Sequence, residues 1–276
     1  MNDFLKYTIQ VEEDQKEIIL AFLSLLNTDM IEEIDAGYAL SFEIDDQIED
    51  SKNAMQEVLN QFDLAFQVET VKGQNWNAVW EASFQPIYVH DYAQIRASFH
   101  PSKSNFKHDL LIDPQMSFGT GHHATTYMMV EQMEGLDLLN KSVMDYGCGT
   151  GILAILAAKE GAKPIVAFDI EQNAYENSVS NAKINAVEHI SLFQGVLSDI
   201  PQESAFDIIL ANINRNVILD SLGQLSELIN KEGLLLVSGI LIKDFDTVVS
   251  QANKFKFNLV KRIEKDGWLC LQFNKN

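Results

Sequence analysis

Residues Val143 to Gly151 read Val-Met-Asp-Tyr-Gly-Cys-Gly-Thr-Gly. An apolar lead-in ends on the carboxyl group of Asp145, and glycines follow at alternate positions, Gly147, Gly149 and Gly151. The helix-like run Ile152 to Lys159 begins at once. A strand that turns through glycine into a helix leaves backbone N–H groups pointing at whatever sits above the turn, a place suited to the polar end of a ligand. Eighteen positions past Gly151, at the tip of a second apolar strand (Ile165 to Phe168), stands Asp169. An acid there normally receives a ribose hydroxyl pair, so the spacing is that of a nucleoside-type cofactor site. The dinucleotide fingerprint is G-x-G-x-x-G, whereas this chain carries G-x-G-x-G behind an acid.

Two other stretches could meet that loop. Asp113 to Thr126 contains Phe118-Gly-Thr120-Gly121-His122-His123-Ala-Thr125-Thr126. Thr125 or Thr126 could cap the apolar helix that contains Met129 and Met133, but capping alone does not require two glycines around a threonine, and a backbone cover over a ligand does. His122 and His123 are adjacent, so their side chains diverge, and no third ligand stands at metal spacing; no metal is expected. The second stretch, Phe206-Asp-Ile-Ile-Leu-Ala-Asn212-Ile-Asn214-Arg215, is a buried strand ending in an amide. Asn212 would then sit at the carboxyl edge of the sheet, where its oxygen can accept from an incoming amine. An Asx-type cap for the helix beginning near Arg215 is a second, compatible role.

The elements that must position these groups alternate strand and helix from about Ile112 onward. Strands are expected at 142–146, 164–168, 189–194, 205–211 and 233–238, with the clearest helices at 171–186 and 215–230 and a terminal hairpin at 256–263 and 268–273. That rhythm argues for a doubly wound parallel sheet. Residues 1–72 read differently, as β-α-β-β-α-β in the order of a ferredoxin-like split module, with no catalytic constellation and so a recognition role. Residues 73–108, with Trp76, Trp80, Phe84 and Pro86 and a possible helix over 75–83, are expected to connect it to a catalytic domain over 109–276.

Composition limits the function. The chain of 276 residues carries a net charge of −20, unevenly placed: residues 1–72 hold 17 Asp and Glu against 4 Lys and no Arg, a balance of −13, leaving −7 for the rest. An acidic surface repels phosphate backbones and attracts basic proteins, so direct nucleic-acid binding is not expected and a basic protein partner is. The longest apolar run, Ile18 to Leu26, is too short to span a bilayer, and the first residues lack the features of a signal peptide. Only Cys148 and Cys270 occur, without a disulfide or metal pattern. A reduced, cytoplasmic protein is expected.

Together the motifs carry a resemblance. The glycine loop is similar to the first motif of S-adenosylmethionine-dependent methyltransferases with a Rossmann-like core. Phe118-Gly-Thr-Gly-x-His-x-Thr-Thr126, Asp145-Tyr-Gly-Cys-Gly-Thr-Gly, Asp169-Ile and Ala211-Asn212-Ile213 resemble the bacterial ribosomal protein L11 methyltransferase family over essentially the full length. The resemblance implies a class I fold with an antiparallel terminal hairpin behind a small α+β substrate-recognition domain. It implies S-adenosylmethionine as cofactor, and Thr126, Gly147, Asp169 and Asn212 as contacts, with Thr120, Gly121, Gly149 and Asp145 also counted as cofactor-binding positions. The implied acceptors are lysine side chains and an N-terminal amine of a basic large-subunit ribosomal protein. His122 and Ala124 depart from the family's more usual Thr and Pro, and Val196 stands where many methyltransferases place an acid near the adenine. A glutamine-amide acceptor would more naturally show Asn-Pro-Pro-Tyr where Ile213 and Asn214 follow Asn212; that acceptor, or a small molecule, is the alternative.

The implied chemistry needs little activation of the donor but much of the acceptor. A free lysine is neutral about once in 2,500 molecules at neutral pH, given a reference pKa near 10.4. The site must therefore favour the deprotonated amine by roughly 4–5 kcal/mol. Asn212 is expected to orient that amine, and no side chain presents itself as a dedicated base.

Overall fold

In the computed structural model the described residues are 3–26, 28–35, 37–45, 47–71, 85–113 and 119–276. They group into two compact units, within 1–84 and 85–276. Trp76, Trp80, Phe84, the helix expected over 75–83 and Phe118 lie outside the described residues.

The first unit runs β1 (Phe4–Gln10), α1 (Lys16–Leu23), β2 (Met30–Ile34), β3 (Gly37–Glu43), α2 (Ile48–Gln61) and β4 (Phe66–Val71). Its sheet has the order β2-β3-β1-β4, every neighbouring pair antiparallel. Alternation along β1 sends Tyr7 and Ile9 to one face, opposite Leu40 and Tyr38 on β3. There they join Ile19 and Leu23 of α1 and Met55 and Leu59 of α2 in a core of their own. The helical spacing of those four residues is what closes the sheet's apolar face.

The second unit begins with a small sheet, β5 (Ile87–Val89), β6 (Ala93–Arg96) and β7 (His108–Leu111). Residues 85–108, the second half of the segment expected to connect the units, thus fold as strands of the second unit. The main sheet takes β8 (Val143–Tyr146), β9 (Ile165–Asp169), β10 (Ser191–Gln194), β11 (Phe206–Asn212), β12 (Ile229–Leu241), β13 (Phe257–Lys265) and β14 (Trp268–Lys275). Their order is β10-β9-β8-β11-β12-β14-β13, parallel through β12 and antiparallel in the last two pairings. The helices are α3 (Ala124–Met133), α4 (Ile152–Lys159), α5 (Gln172–Ile184), α6 (Arg215–Leu228) and α7 (Phe245–Lys254).

Both faces of this sheet are covered, so its inner strands read as continuous apolar runs. On β11, Ile208 and Leu210 join the core formed with Met128 and Met129 of α3 and the aliphatics of α4. Ile209 and Ala211 point the other way, toward Ile218, Leu222 and Leu225 of α6 and Val248 of α7. The helix α4 is buried from Ile152 to Ala158, in keeping with an apolar sequence all round. Among the described residues no helix is long and apolar enough to cross a membrane.

Near the carboxyl end of β12, the register shifts between Ser238 and Ile240. Gly239, at φ +86°, makes that bulge, and a methyl group on it would overlap the carbonyl oxygen of Ile213. The backbone after Asn212 can therefore pass close to β12 only because residue 239 lacks a side chain. Gly239→Ala is expected to destabilise the second unit by about 3 kcal/mol or more, from left-handed strain plus overlap. Urea unfolding followed by circular dichroism measures this, and a loss below about 1 kcal/mol would show that the Ile213 turn simply moves aside.

Candidate functional site

The strand β8 has parallel neighbours on both sides, β9 and β11. At such a reversal of winding the loops after adjacent strands diverge, and a crevice opens beyond the carboxyl ends. A pocket of about 500 Å³ lies there. Three loops supply its polar wall: Gly147 and Gly149 after β8, Asp169 and Ile170 after β9, and Asn212, Ile213 and Asn214 after β11. Apolar surface comes from Phe168, Val196, Val217 and Trp268.

The glycine loop is fixed by β9. The N–H groups of Gly147 and Cys148 both donate to the carbonyl of Phe168 at 3.0 Å, and the Gly149 N–H donates to Asp169 Oδ2 at 2.9 Å. The other oxygen of Asp169 accepts from the Glu171 N–H at 3.0 Å. Each carboxylate oxygen thus holds one backbone donor and keeps lone-pair capacity for another, which suits a pair of hydroxyls. Gly147 adopts φ +72°, and a methyl group there would overlap the Ile213 side chain, so the floor is backbone by necessity. A row of stacked rings, Tyr146 on Phe168 and Phe168 on Phe193, each at 5.2 Å, stiffens the wall beneath.

Asn212 ends β11 as expected and does not cap the following helix; Asn214 does, accepting the Val217 N–H at 3.1 Å. The Asn212 amide nitrogen donates to Thr126 Oγ1 at 3.2 Å, while its buried Oδ1 has no hydrogen-bond partner among the described residues. Buried acceptors are rarely left so, and one on a pocket wall calls for a ligand donor. The cap of α3 is His123 rather than Thr125 or Thr126: its Nδ1 accepts the Thr125 N–H at 3.3 Å. His123 and Thr125 reach the pocket, and the His123 ring meets that of Trp268 edge-on at 5.0 Å.

Of the residues singled out from sequence, Gly147, Gly149, Asp169 and Asn212 come together on this wall. Thr126 stands behind it, fully buried, acting on Asn212. Asp145 is buried beneath the loop, with Oδ2 accepting the Ala154 N–H at 3.0 Å and Oδ1 without a partner among the described residues. Thr120 and Gly121 do not line the pocket. The Thr120 hydroxyl pairs with His122 Nδ1 at 3.2 Å, and Gly121 packs on Ile95 and Ile87 of the small sheet. His122 itself donates through Nε2 to the Gln85 carbonyl at 2.9 Å. Sequence reasoning missed His123, Gly239 and Trp268 as pocket residues. His123 had a signal, a histidine just before a helix with the wrong residues credited as its cap; Trp268 had none, being distant in sequence and brought in by β14.

The residues suit a cofactor with a hydroxylated sugar and a polar, cationic end. The cradle is glycine where a methyl would collide, Asp169 offers the acceptor pair, and unpartnered oxygens of Asn212 and Asp145 await donors. Burial, and secondarily the nearby Asp169 charge, push the Asp145 carboxyl from 3.8 to about 7, against the lowering effect of the Ala154 N–H. Its folded value lies above its unfolded one, so the stability from the neutral form is full below pH 4 and is lost as pH rises toward 7. Relative to Asp145→Asn, the unliganded protein is expected to lose roughly 2–4 kcal/mol between pH 5 and pH 8, read as paired thermal melts. Parallel pH profiles for the two proteins would refute it.

Comparison with known proteins follows the same lines. The sequence model of a family described as ribosomal protein L11 methyltransferase (PrmA) matches residues 7–276. A ribosomal protein L11 methyltransferase of Bacteroides fragilis is 37% identical over 212 residues, 76% of this chain and 76% of its own length. One from Chlorobaculum tepidum is 36% identical over 282 residues, 97% of this chain and 95% of its own. The crystal structure of ribosomal protein L11 methylase from Lactobacillus delbrueckii subsp. bulgaricus superposes with a TM-score of 0.64 at 26% identity, covering 70% of this chain and 100% of that one.

Proposed function

We propose that this chain, which belongs to the ribosomal protein L11 methyltransferase family, transfers methyl groups from S-adenosylmethionine to ribosomal protein L11, on lysine side-chain amines and the N-terminal amine. The observation that carries this is the convergence of Gly147, Gly149, Asp169 and Asn212 on one pocket at the reversal of the sheet. Asp169 takes the ribose hydroxyls, and the backbone at Gly147 and Gly149 takes the amino-acid end, with the buried Asp145 carboxyl supporting the loop from below. Thr126 fixes the Asn212 amide, Thr120 and Gly121 shape the chain that leads to His123, and the acidic residues 1–72 favour a basic protein substrate.

When bound, the cofactor supplies an already activated methyl group on a sulfonium, so the protein's task is alignment. Asn212 Oδ1, lacking a partner, accepts a hydrogen bond from the incoming amine and aims its lone pair. The apolar surfaces of Ile213, Val217 and Trp268 displace water from around that amine, which favours its neutral form. Nothing else is asked of a base once the amine arrives deprotonated.

Incubation of ribosomal protein L11 with this protein and S-adenosylmethionine is expected to add mass in stepwise methyl increments. Asp169→Ala is expected to weaken the cofactor roughly tenfold or more, through loss of a charge-assisted pair. Asn212→Ala is expected to lower kcat about 100-fold. Absence of any mass gain while S-adenosylmethionine binds would remove the acceptor assignment. Full turnover by Asn212→Ala would remove that residue's role.

A further inference from the structure

The glycine loop and the chain around His123 meet at one of the loop's own residues, Thr150. Thr150 is completely buried and lies outside the pocket lining. Its Oγ1 donates to the carbonyl of Gly119 at 2.7 Å, which joins the loop after β8 to the stretch 119–123. Its own carbonyl accepts from Asn181 Nδ2 at 3.0 Å, and Asn181 Oδ1 accepts the Asp113 N–H at 3.0 Å. Thus the chain at 113 and the chain at 119 are both tied to the Thr150–Asn181 pair. One turn further along α5, Asn185 clasps Leu111 through both its N–H and its carbonyl, at 3.1 and 2.6 Å.

These bonds are costly to keep unless they do something. Asn181 on α5 and Thr150 in the glycine loop are fully buried polar side chains where apolar ones could have packed against the same neighbours. Gly119, at φ +103°, would place a methyl against the Thr150 hydroxyl, so both partners are shaped for this contact. Four residues beyond Gly119 the chain delivers His123, and two further Thr125, to the pocket wall.

We propose that Thr150 is a positioning residue: its hydroxyl fixes the Gly119–His123 stretch against the glycine loop, so that the cofactor end and the His123–Trp268 end of the pocket keep one relative geometry. The effect on turnover rests on the methyl-transfer reading above, whereas the mechanical link does not. A threonine hydroxyl that only filled space would be replaced by a methyl without consequence for the chain at 119–123.

The test is Thr150→Val, which keeps the shape and removes the donor, with Thr150→Ser as the rescue. Hydrogen exchange of the unliganded proteins reads the link directly. Amides of residues 119–123 are expected to exchange about tenfold faster in Thr150→Val than in the parent, with residues 147–151 unchanged and Thr150→Ser restoring protection. With S-adenosylhomocysteine as probe, the parent is expected to protect both stretches and Thr150→Val only 147–151. With ribosomal protein L11 as acceptor, kcat is expected to fall about tenfold in Thr150→Val while the affinity for S-adenosylhomocysteine stays within about twofold. Equal exchange at 119–123 in parent and Thr150→Val, or faster exchange that Thr150→Ser does not restore, overturns the proposal. A parent that neither binds the probe nor methylates overturns the functional reading and leaves the exchange of the unliganded proteins to decide this one.

Discussion

Everything at the site follows from one constraint, that β8 is flanked by parallel strands on both sides. The chain leaves β8 through α4 on one face of the sheet, builds outward through β9 and β10, and then returns across β8 to lay down β11 with α6 on the other face. Right-handed crossovers in a twisted sheet allow no other arrangement of the helices. Loops that part company in this way cannot pack on each other, so the space above Tyr146 stays open.

An open space between loops has to be held in shape by something other than apolar packing. Here it is held by backbone donors meeting fixed acceptors: Gly149 on Asp169, Gly147 and Cys148 on the Phe168 carbonyl, Ala154 on Asp145. Such bonds each contribute about 0.5–1.5 kcal/mol, and about 1.5–3 kcal/mol where the acceptor is the Asp169 carboxylate, enough together to fix a glycine-rich loop that has little conformational preference of its own. The same neighbourhood leaves the second oxygen of Asp145 and the Asn212 oxygen without partners. A core would not retain such atoms, and a binding site depends on them, because their desolvation cost is refunded only when a ligand supplies donors.

Much of this was legible in the residues. Apolar runs of β-branched type bounded by turn chemistry marked β8, β9 and β11 to within a residue or two, and the first unit's alternation from Phe4 and helical spacing from Ile48 were as plain. The small sheet was not. Ile87–Val89, Ala93–Arg96 and His108–Leu111 are each three or four residues long, too short for alternation to register, and one pairing is parallel and joins strands across a loop. At the site, motif spacing located the groups with backbone roles, Gly147, Gly149 and Asp169, because their geometry is local. It credited Thr120, Gly121, Thr126 and Asp145 equally, although whether a side chain faces a pocket or stands behind its wall depends on long-range packing. Trp268 and Gly239 enter from β14 and β12, and nothing near the glycine loop in sequence points to either.

The position of β14 has a temporal meaning. Although it follows β13 in the chain, it lies between β12 and β13 in the sheet and presents Trp268 to the pocket. As the chain emerges in order from a ribosome, β8 to β12 can assemble while residues 268–275 are still being made, but β13 has no strand to pair with until they arrive. The part of the pocket lining that Trp268 supplies is therefore among the last to form. The pocket is complete only when the sheet's final inner strand has slotted between its two neighbours and carried Trp268 to the wall.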